Sequence, residues 1–260
     1  MNIKKNIPNF LTCCNLLCGV IGIQLVVGLS FDFAYLNYGL NGAIVCVILA
    51  CVFDFLDGFV ARLLKVSSQI GKELDSMADM VSFGVLPGFM MFQMTFSAVS
   101  DELVSINSDN VFLNYGACIA FLAFLIPVFS ALRLAKFNID TRQSESFIGV
   151  PTPANTLFIA GLAYIYTQEN NFLSFFVSPI SLVVLSVVLS YLLVAELPLI
   201  ALKFKNFGWP DNKMRYVLII SCIVLLAILN FTATPLIIIL YIILSLIENK
   251  LNATNGSNNA

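Results

Sequence analysis

The chain has 260 residues, of which 59% are hydrophobic and only 11% charged, and its mean hydropathy is +0.93. An ordinary soluble domain is about 45–50% apolar and about 25% charged, so so few charges cannot cover this much apolar surface, and a bilayer is the expected solvent. The net charge of −2 fits no nucleic-acid partner, and the composition as a whole excludes a soluble enzyme and a disordered chain.

Lys4 and Lys5 precede an apolar run, as in a signal peptide. Pro8, Asn9 and Asn15 interrupt that run, and no small-residue cleavage site follows, so a retained first span is expected. Apolar runs of about 20 residues then predict an all-α polytopic bundle of about eight spans, near 10–30, 41–64, 73–98, 112–136, 153–168, 179–201, 214–231 and 234–249. The fifth is short, and only Thr232–Pro235 separates the last two. Residues 1–250 form one membrane domain, and the polar 251–260 tail is expected to be disordered. Every Lys and Arg falls at a terminus, in the 2–3, 4–5 and 6–7 connections or at the span ends that border them, whereas Asp32, Asp101, Glu102, Asp109 and Glu169 lie on the opposite side. By the positive-inside rule both termini face the cytoplasm, which requires an even number of spans, eight or, if the last hairpin does not cross, six.

There is no histidine, so any proton transfer falls to a carboxylate, Lys, Tyr, Cys or metal-bound water. The seven cysteines, 13, 14, 18, 46, 51, 118 and 222, form no C-x-x-C pair and mostly sit in apolar runs, where a free thiol behaves as a small hydrophobe.

Residues 54–79 stand out. They run Asp54-Phe-Leu-Asp57-Gly58-Phe-Val-Ala61-Arg62, then eight residues, then Gly71-Lys-Glu-Leu-Asp75-Ser-Met-Ala-Asp79. An Asp within a spanning helix costs about 2.5–3.5 kcal/mol on an insertion scale, so four of them imply a partner and a function. Asp54, Asp57, Gly58 and Ala61 share one helical stripe with Arg62 beside it; Gly71, Asp75 and Asp79 are successive i, i+4 positions on the next helix. A short turn lets the two helices pack antiparallel with their carboxylates facing. Four carboxylates in one small volume cannot all stay ionised without cations between them. Oxygen-only ligands favour Mg²⁺, Mn²⁺ or Ca²⁺, and two such ions can clamp both oxygens of a phosphoryl displacement. Gly58 and Gly71 leave room for a ligand to approach the backbone, although small residues also serve close helix packing.

The pattern D-x2-D-G-x2-A-R-x8-G-x3-D-x3-D resembles the signature of the CDP-alcohol phosphotransferase family, integral membrane enzymes that pass a substituted phosphoryl group from a CDP-linked donor to an alcohol and release CMP. The resemblance implies that Asp54, Asp57, Asp75 and Asp79 hold two divalent cations, Mg²⁺ or Mn²⁺, and that Asp79 is also the catalytic base. It implies that Asp54, Gly58, Ala61, Arg62, Gly71 and Asp75 contact the CDP moiety, and that the enzyme is a homodimer. Asp75-Ser-Met-Ala-Asp79-Met-Val-Ser82-Phe83-Gly84-Val-Leu-Pro87, Arg133-Leu-Ala-Lys136-Phe137-Asn138, Gly149-Val-Pro151-Thr-Pro153-Ala-Asn155 and the opening Pro8-Asn9-Phe-Leu-Thr12 with Asn15 are similar to the phosphatidylserine synthase branch of that family. Lys136 stands where that branch has Arg, which loses a bidentate fork. The implied substrates are CDP-diacylglycerol and L-serine, in a cytoplasmic (inner) membrane with the site facing the cytoplasm. Ser82, Arg133, Lys136, Asn138 and Arg142 are candidate contacts for the acceptor or a phosphate; the cations among them also suit positive-inside anchors or a phosphorylated acceptor such as glycerol 3-phosphate or inositol phosphate. An ion-coupled transporter could also use an acidic cluster, but it predicts inverted repeats, and no second copy of the hairpin is evident. Glu196, near the end of span six, suits local pairing or snorkelling, and Trp209 an interfacial anchor.

Overall fold

The computed structural model describes residues 3–28, 33–66, 68–105, 118–140, 147–168, 172–200 and 208–257. Nine α-helices account for most of them: α1 (Ile3–Gly28), α2 (Phe33–Leu64), α3 (Gln69–Met80), α4 (Leu86–Ser105), α5 (Leu125–Ile139), α6 (Thr152–Tyr166), α7 (Pro179–Val194), α8 (Trp209–Leu229) and α9 (Thr234–Ser257). The fold is an all-α bundle of membrane character. By length and composition, Asn6–Gly28, Tyr35–Leu64, Gln69–Ser100, Cys118–Ile139 and Asn212–Lys250 are long and apolar enough to cross a bilayer. The last of these is broken by a 3-10 turn at Asn230–Ala233, where Asn230 takes φ 52°, and α8 and α9 pack against each other.

The short predicted fifth span is α6, the central helix. Phe158, Ile159, Ala160, Leu162, Ala163 and Ile165 are all buried, against α2, α4, α7 and α9. A helix wrapped on all sides by other helices needs neither the length nor the lipid-facing surface of a peripheral span. Its neighbours carry the usual outward apolar faces: Phe10, Phe55 and Ile180 are exposed, as lipid contact requires. Some buried hydroxyls are returned to the backbone of their own helices, Thr95 Oγ1 donating to the Met91 carbonyl at 2.7 Å and Ser186 Oγ to the Leu182 carbonyl at 2.8 Å.

Three local devices shape one end of the bundle. First, α2 ends in a Schellman motif: Val66 N–H donates to the Ala61 carbonyl (3.0 Å) and Lys65 N–H to that of Arg62 (3.2 Å), with Lys65 in the left-handed region at φ 52°. Ser68 then caps α3, its Oγ accepting from Gly71 N–H at 3.0 Å. Second, α3 runs into α4 through a π-helical turn, Val81–Val85, a distortion that commonly occurs at functional sites. Third, Phe147–Ile148 pairs antiparallel with Pro198–Leu199, a two-residue ladder that a purely helical expectation does not contain. Apolar patterning cannot reveal so short a pairing. The α9 residues Ser245 and Tyr241 hold it in place, bonding the Ile200 N–H (3.1 Å) and carbonyl (3.0 Å). Gly149, at φ 77°, sits where a Cβ would lie 2.7 Å from the Leu193 carbonyl oxygen, so only glycine lets the chain entering α6 pass this close to the end of α7.

The backbone of α9 continues to Ser257, carrying helix into the 251–260 segment for which disorder is expected. Propagating a formed helix fixes one residue per hydrogen bond gained, a small cost even in polar sequence. All seven cysteines are free thiols, in keeping with their reading as small hydrophobes.

Candidate active site

The α2–α3 turn brings the two halves of the acidic motif face to face. One carboxylate oxygen each from Asp54, Asp57 and Asp75 lies within 4.8 Å of the others. Asp79 is one helical turn further along α3, within electrostatic reach of Asp54 and Asp75. None of the four carboxylates makes an ion pair with a Lys or Arg among the described residues. Three oxygen donors at this separation, without a basic side chain between them, suit a hard divalent cation.

A cavity of about 360 Å³ opens beside the cluster, lined by Asp57, Gly58, Ala61, Gly71, Lys72 and Asp75 from α2 and α3. That volume is at the lower end of small-molecule sites. Arg62 folds back along its own helix, so that a Cβ on Gly58 would stand 3.4 Å from its Nη1; the guanidinium therefore lies over the glycine at the cavity edge. Gly71 has a second reason to be glycine. A Cβ there would come within 2.9 Å of both Asn9 Oδ1 and Ser68 Oγ, so its missing side chain admits α1 and the α3 cap as well as any ligand.

Motif reading matched the opening of the first helix but gave it no role in the site. Pro8, Asn9 and Thr12 line the same cavity. Thr12 Oγ1 donates to Asp57 Oδ2 at 2.6 Å in a buried contact, and Asn15 Nδ2 donates to Asp79 Oδ1 at 3.2 Å. The signal was present: Pro8, Asn9, Thr12 and Asn15 recur at helical spacing, which puts polar groups on one face of an otherwise apolar helix. A fully buried Asn within a spanning helix demands a partner, and here the partner is a carboxylate of the cluster.

The remaining candidates divide. Arg133 is 7% exposed, lies within electrostatic reach of Asp79, and has its guanidinium 5.5 Å from the Phe137 ring centroid. Ser82 is fully buried in the π-turn and donates to the Asn15 carbonyl at 2.9 Å, a contact that ties the turn to α1. Asn138 Nδ2 donates to Ser76 Oγ at 2.9 Å and so joins α5 to α3. Lys136 is exposed at the end of α5, away from the cavity lining. Arg142 lies outside the described residues, as do Asp32, Asp109, Glu169, Lys203 and Lys205 of the charge pattern.

A helical membrane bundle with a carboxylate cluster beside a ligand-sized cavity at one end defines an integral membrane protein with a candidate cation and ligand site. The particular family follows from comparison: the profile of the CDP-alcohol phosphatidyltransferase family matches residues 5–195, and the chain belongs to that family. It is 30% identical over 201 residues to the CDP-diacylglycerol–serine O-phosphatidyltransferase of Bacillus subtilis (strain 168), covering 77% of this chain and 90% of that protein. It is 32% identical over 154 residues to the protein of the same name from Helicobacter pylori (strain J99), covering 58% of this chain and 54% of that one. With the Saccharomyces cerevisiae protein of that name the figures are 35% over 127 residues, 45% and 40%.

Proposed function

We propose that this enzyme transfers the phosphatidyl group of CDP-diacylglycerol to the hydroxyl of L-serine, giving phosphatidylserine and CMP. The observation that carries the reading is the convergence of Asp54, Asp57 and Asp75 to within 4.8 Å beside a glycine-walled cavity. The names of relatives at about the same degree of identity support the choice of serine.

In this reading Asp54, Asp57, Asp75 and Asp79 hold two divalent cations, Mg²⁺ or Mn²⁺. When bound, such ions neutralise the donor diphosphate and stabilise charge developing on CMP. Gly58, Ala61 and Gly71 let the nucleotide approach the helix backbones, and Arg62, lying over Gly58, meets its phosphates. Asp79 takes the proton of the serine hydroxyl. The hydroxyl oxygen bonds to the phosphorus that bears diacylglycerol as the phosphorus–oxygen bond to CMP breaks. Asn15 steadies the Asp79 carboxylate while Thr12 steadies that of Asp57. Little covalent work falls to the protein, so positioning and electrostatics supply the acceleration.

The same reading places the enzyme in a cytoplasmic membrane as a homodimer, with eight spans, both termini on the cytoplasmic side and the acidic end of the bundle facing that side. Water-soluble serine and the CDP headgroup then enter from the cytosol while the acyl chains stay in lipid.

The test is an acceptor panel: purified protein in detergent with CDP-diacylglycerol and labelled serine, glycerol 3-phosphate or inositol phosphate, with and without chelator. Serine-dependent CMP release, lost on chelation and restored by Mg²⁺ or Mn²⁺, is expected. Turnover of glycerol 3-phosphate but not serine would overturn the choice of substrate, and full turnover in chelator would overturn the metal assignment.

A further inference from the structure

Buried side-chain polar atoms without a partner include Ser130 Oγ and Arg133 Nε on α5, Thr152 Oγ1 and both amide atoms of Asn155 on α6, and, on α1, Oδ1 of the Asn15 that donates to Asp79. Ser130, Thr152 and Asn155 are 0% exposed and Arg133 is 7% exposed. Native proteins rarely leave one such group unmatched, and four residues with the same defect on the two helices that flank the π-turn mark a place where a polar ligand completes the bonding.

Contacts further inside the bundle set the register of that place. Gly84 lies against Ser130, its built Cβ standing 3.1 Å from the Ser130 Cβ, and Thr156 Oγ1 donates to the Phe83 carbonyl at 3.0 Å. The π-turn therefore lies between α5 and α6. One helical turn from these contacts toward the acidic end leads to Arg133 on α5, to Thr152 on α6 and to Asp79 on α3. Arg133 is indeed within electrostatic reach of Asp79. No side chain caps the start of α6, so its first N–H groups add a partial positive charge on the same side. The cavity beside Gly58 and Gly71 lies between α1, α2 and α3, whereas α5 and α6 supply the unpaired set.

We propose that Asn155, with Thr152 and Arg133, forms the acceptor pocket and holds the charged groups of an amino-acid alcohol, leaving its hydroxyl to Asp79. This deepens the phosphatidylserine synthase reading and rests on it. The chemistry of the set matches a zwitterion. The Arg133 guanidinium and the Asn155 Nδ2 can donate to a carboxylate; the Asn155 Oδ1 and the Thr152 hydroxyl can accept from an ammonium. A phosphorylated acceptor would call for further cations, and Arg133 is the only buried Lys or Arg among the described residues. Asn155 is thus a binding residue that selects the acceptor, distinct from the carboxylates that act on the donor.

The experiment is steady-state kinetics of the full-length Asn155→Leu and Thr152→Val enzymes in detergent, with serine and CDP-diacylglycerol varied separately, alongside CDP affinity by calorimetry and the thermal unfolding midpoint. Losing one hydrogen bond to a charged group should raise the serine KM about tenfold to a hundredfold, while CDP affinity stays within about twofold of wild type. A serine KM unchanged in both folded variants, or a fall in CDP affinity parallel to the rise in serine KM, would overturn the pocket. Should Asn155→Leu not fold, Thr152→Val decides alone, with Thr152→Ser, which retains the hydroxyl, expected to restore the serine KM. The serine reading itself is judged on the wild type: CMP release with glycerol 3-phosphate but not serine defeats that reading, whereas serine turnover with flat variant KM values defeats only the pocket.

Discussion

Replacing Thr12 by Val removes one hydroxyl and leaves the side-chain shape nearly unchanged. That hydroxyl donates to Asp57 Oδ2 at 2.6 Å, with Thr12 3% and Asp57 6% exposed, so water has poor access to replace it. A hydrogen bond to a charged group is worth about 1.5–3 kcal/mol net, and 1.4 kcal/mol is a factor of ten. If Asp57 is a cation ligand, the bond from Thr12 orients its carboxylate and leaves the second oxygen for the ion. Residues in that supporting role typically change metal affinity or activity by about 10–100-fold when removed. Thr12→Val is therefore expected to raise the Mn²⁺ concentration for half-maximal CMP release by about tenfold or more, with the loss of activity partly overcome by excess metal. Thr12→Ser keeps the donor and should stay within about threefold of wild type, because it loses only a methyl group. The assay is CMP release titrated with Mn²⁺ from a metal-stripped preparation. A Val variant with the wild-type half-saturation and the wild-type maximal rate would show that the Thr12–Asp57 contact merely packs α1 on α2.

Asp79→Asn should abolish CMP release while leaving the unfolding midpoint in detergent near that of wild type, since the amide keeps the shape and can still bond to Asn15; retained turnover removes Asp79 as the base. Gly19→Ala places a Cβ 2.5 Å from Ser82 Oγ and 2.9 Å from the Ser82 Cα, forcing α1 from the π-turn. A loss of about 1–3 kcal/mol, the usual cost of overpacking, should appear as a lower unfolding midpoint, and an unchanged midpoint would mean that α1 and the turn yield freely.

The acidic hairpin was legible because its information is local. Asp54 and Asp57 are three residues apart, and Asp75 and Asp79 four, so helical periodicity alone puts each pair on one face. The intervening Ser68 supplies the cap that restarts the helix. Burying so many carboxylates in an apolar chain is costly enough to imply a partner before any fold is known. The spans were legible for a related reason: hydropathy reports the solvent, and lipid requires every backbone group to be satisfied within its own helix. Local pattern reaches no further than that. It could not show that the Ser82 hydroxyl is engaged by the Asn15 carbonyl while Arg133 is buried within electrostatic reach of Asp79, because both facts depend on contacts between helices distant in sequence.

By itself, then, the sequence determined that this chain lies in a bilayer as helices, that four aspartates share one end of a hairpin, and what kind of ion and reaction such a cluster suits. Each of those conclusions depends on residues within a few turns of one another. Only the tertiary structure decided that α1 completes the cluster through Thr12 and Asn15, that the short fifth apolar segment is the buried centre of the bundle, and that Ser130, Arg133, Thr152 and Asn155 bury unpaired polar atoms on the two helices that flank the π-turn. Those outcomes join residues that are tens of positions apart in the chain, and they are set by which helix faces pack together, a property of the whole bundle that no single segment encodes.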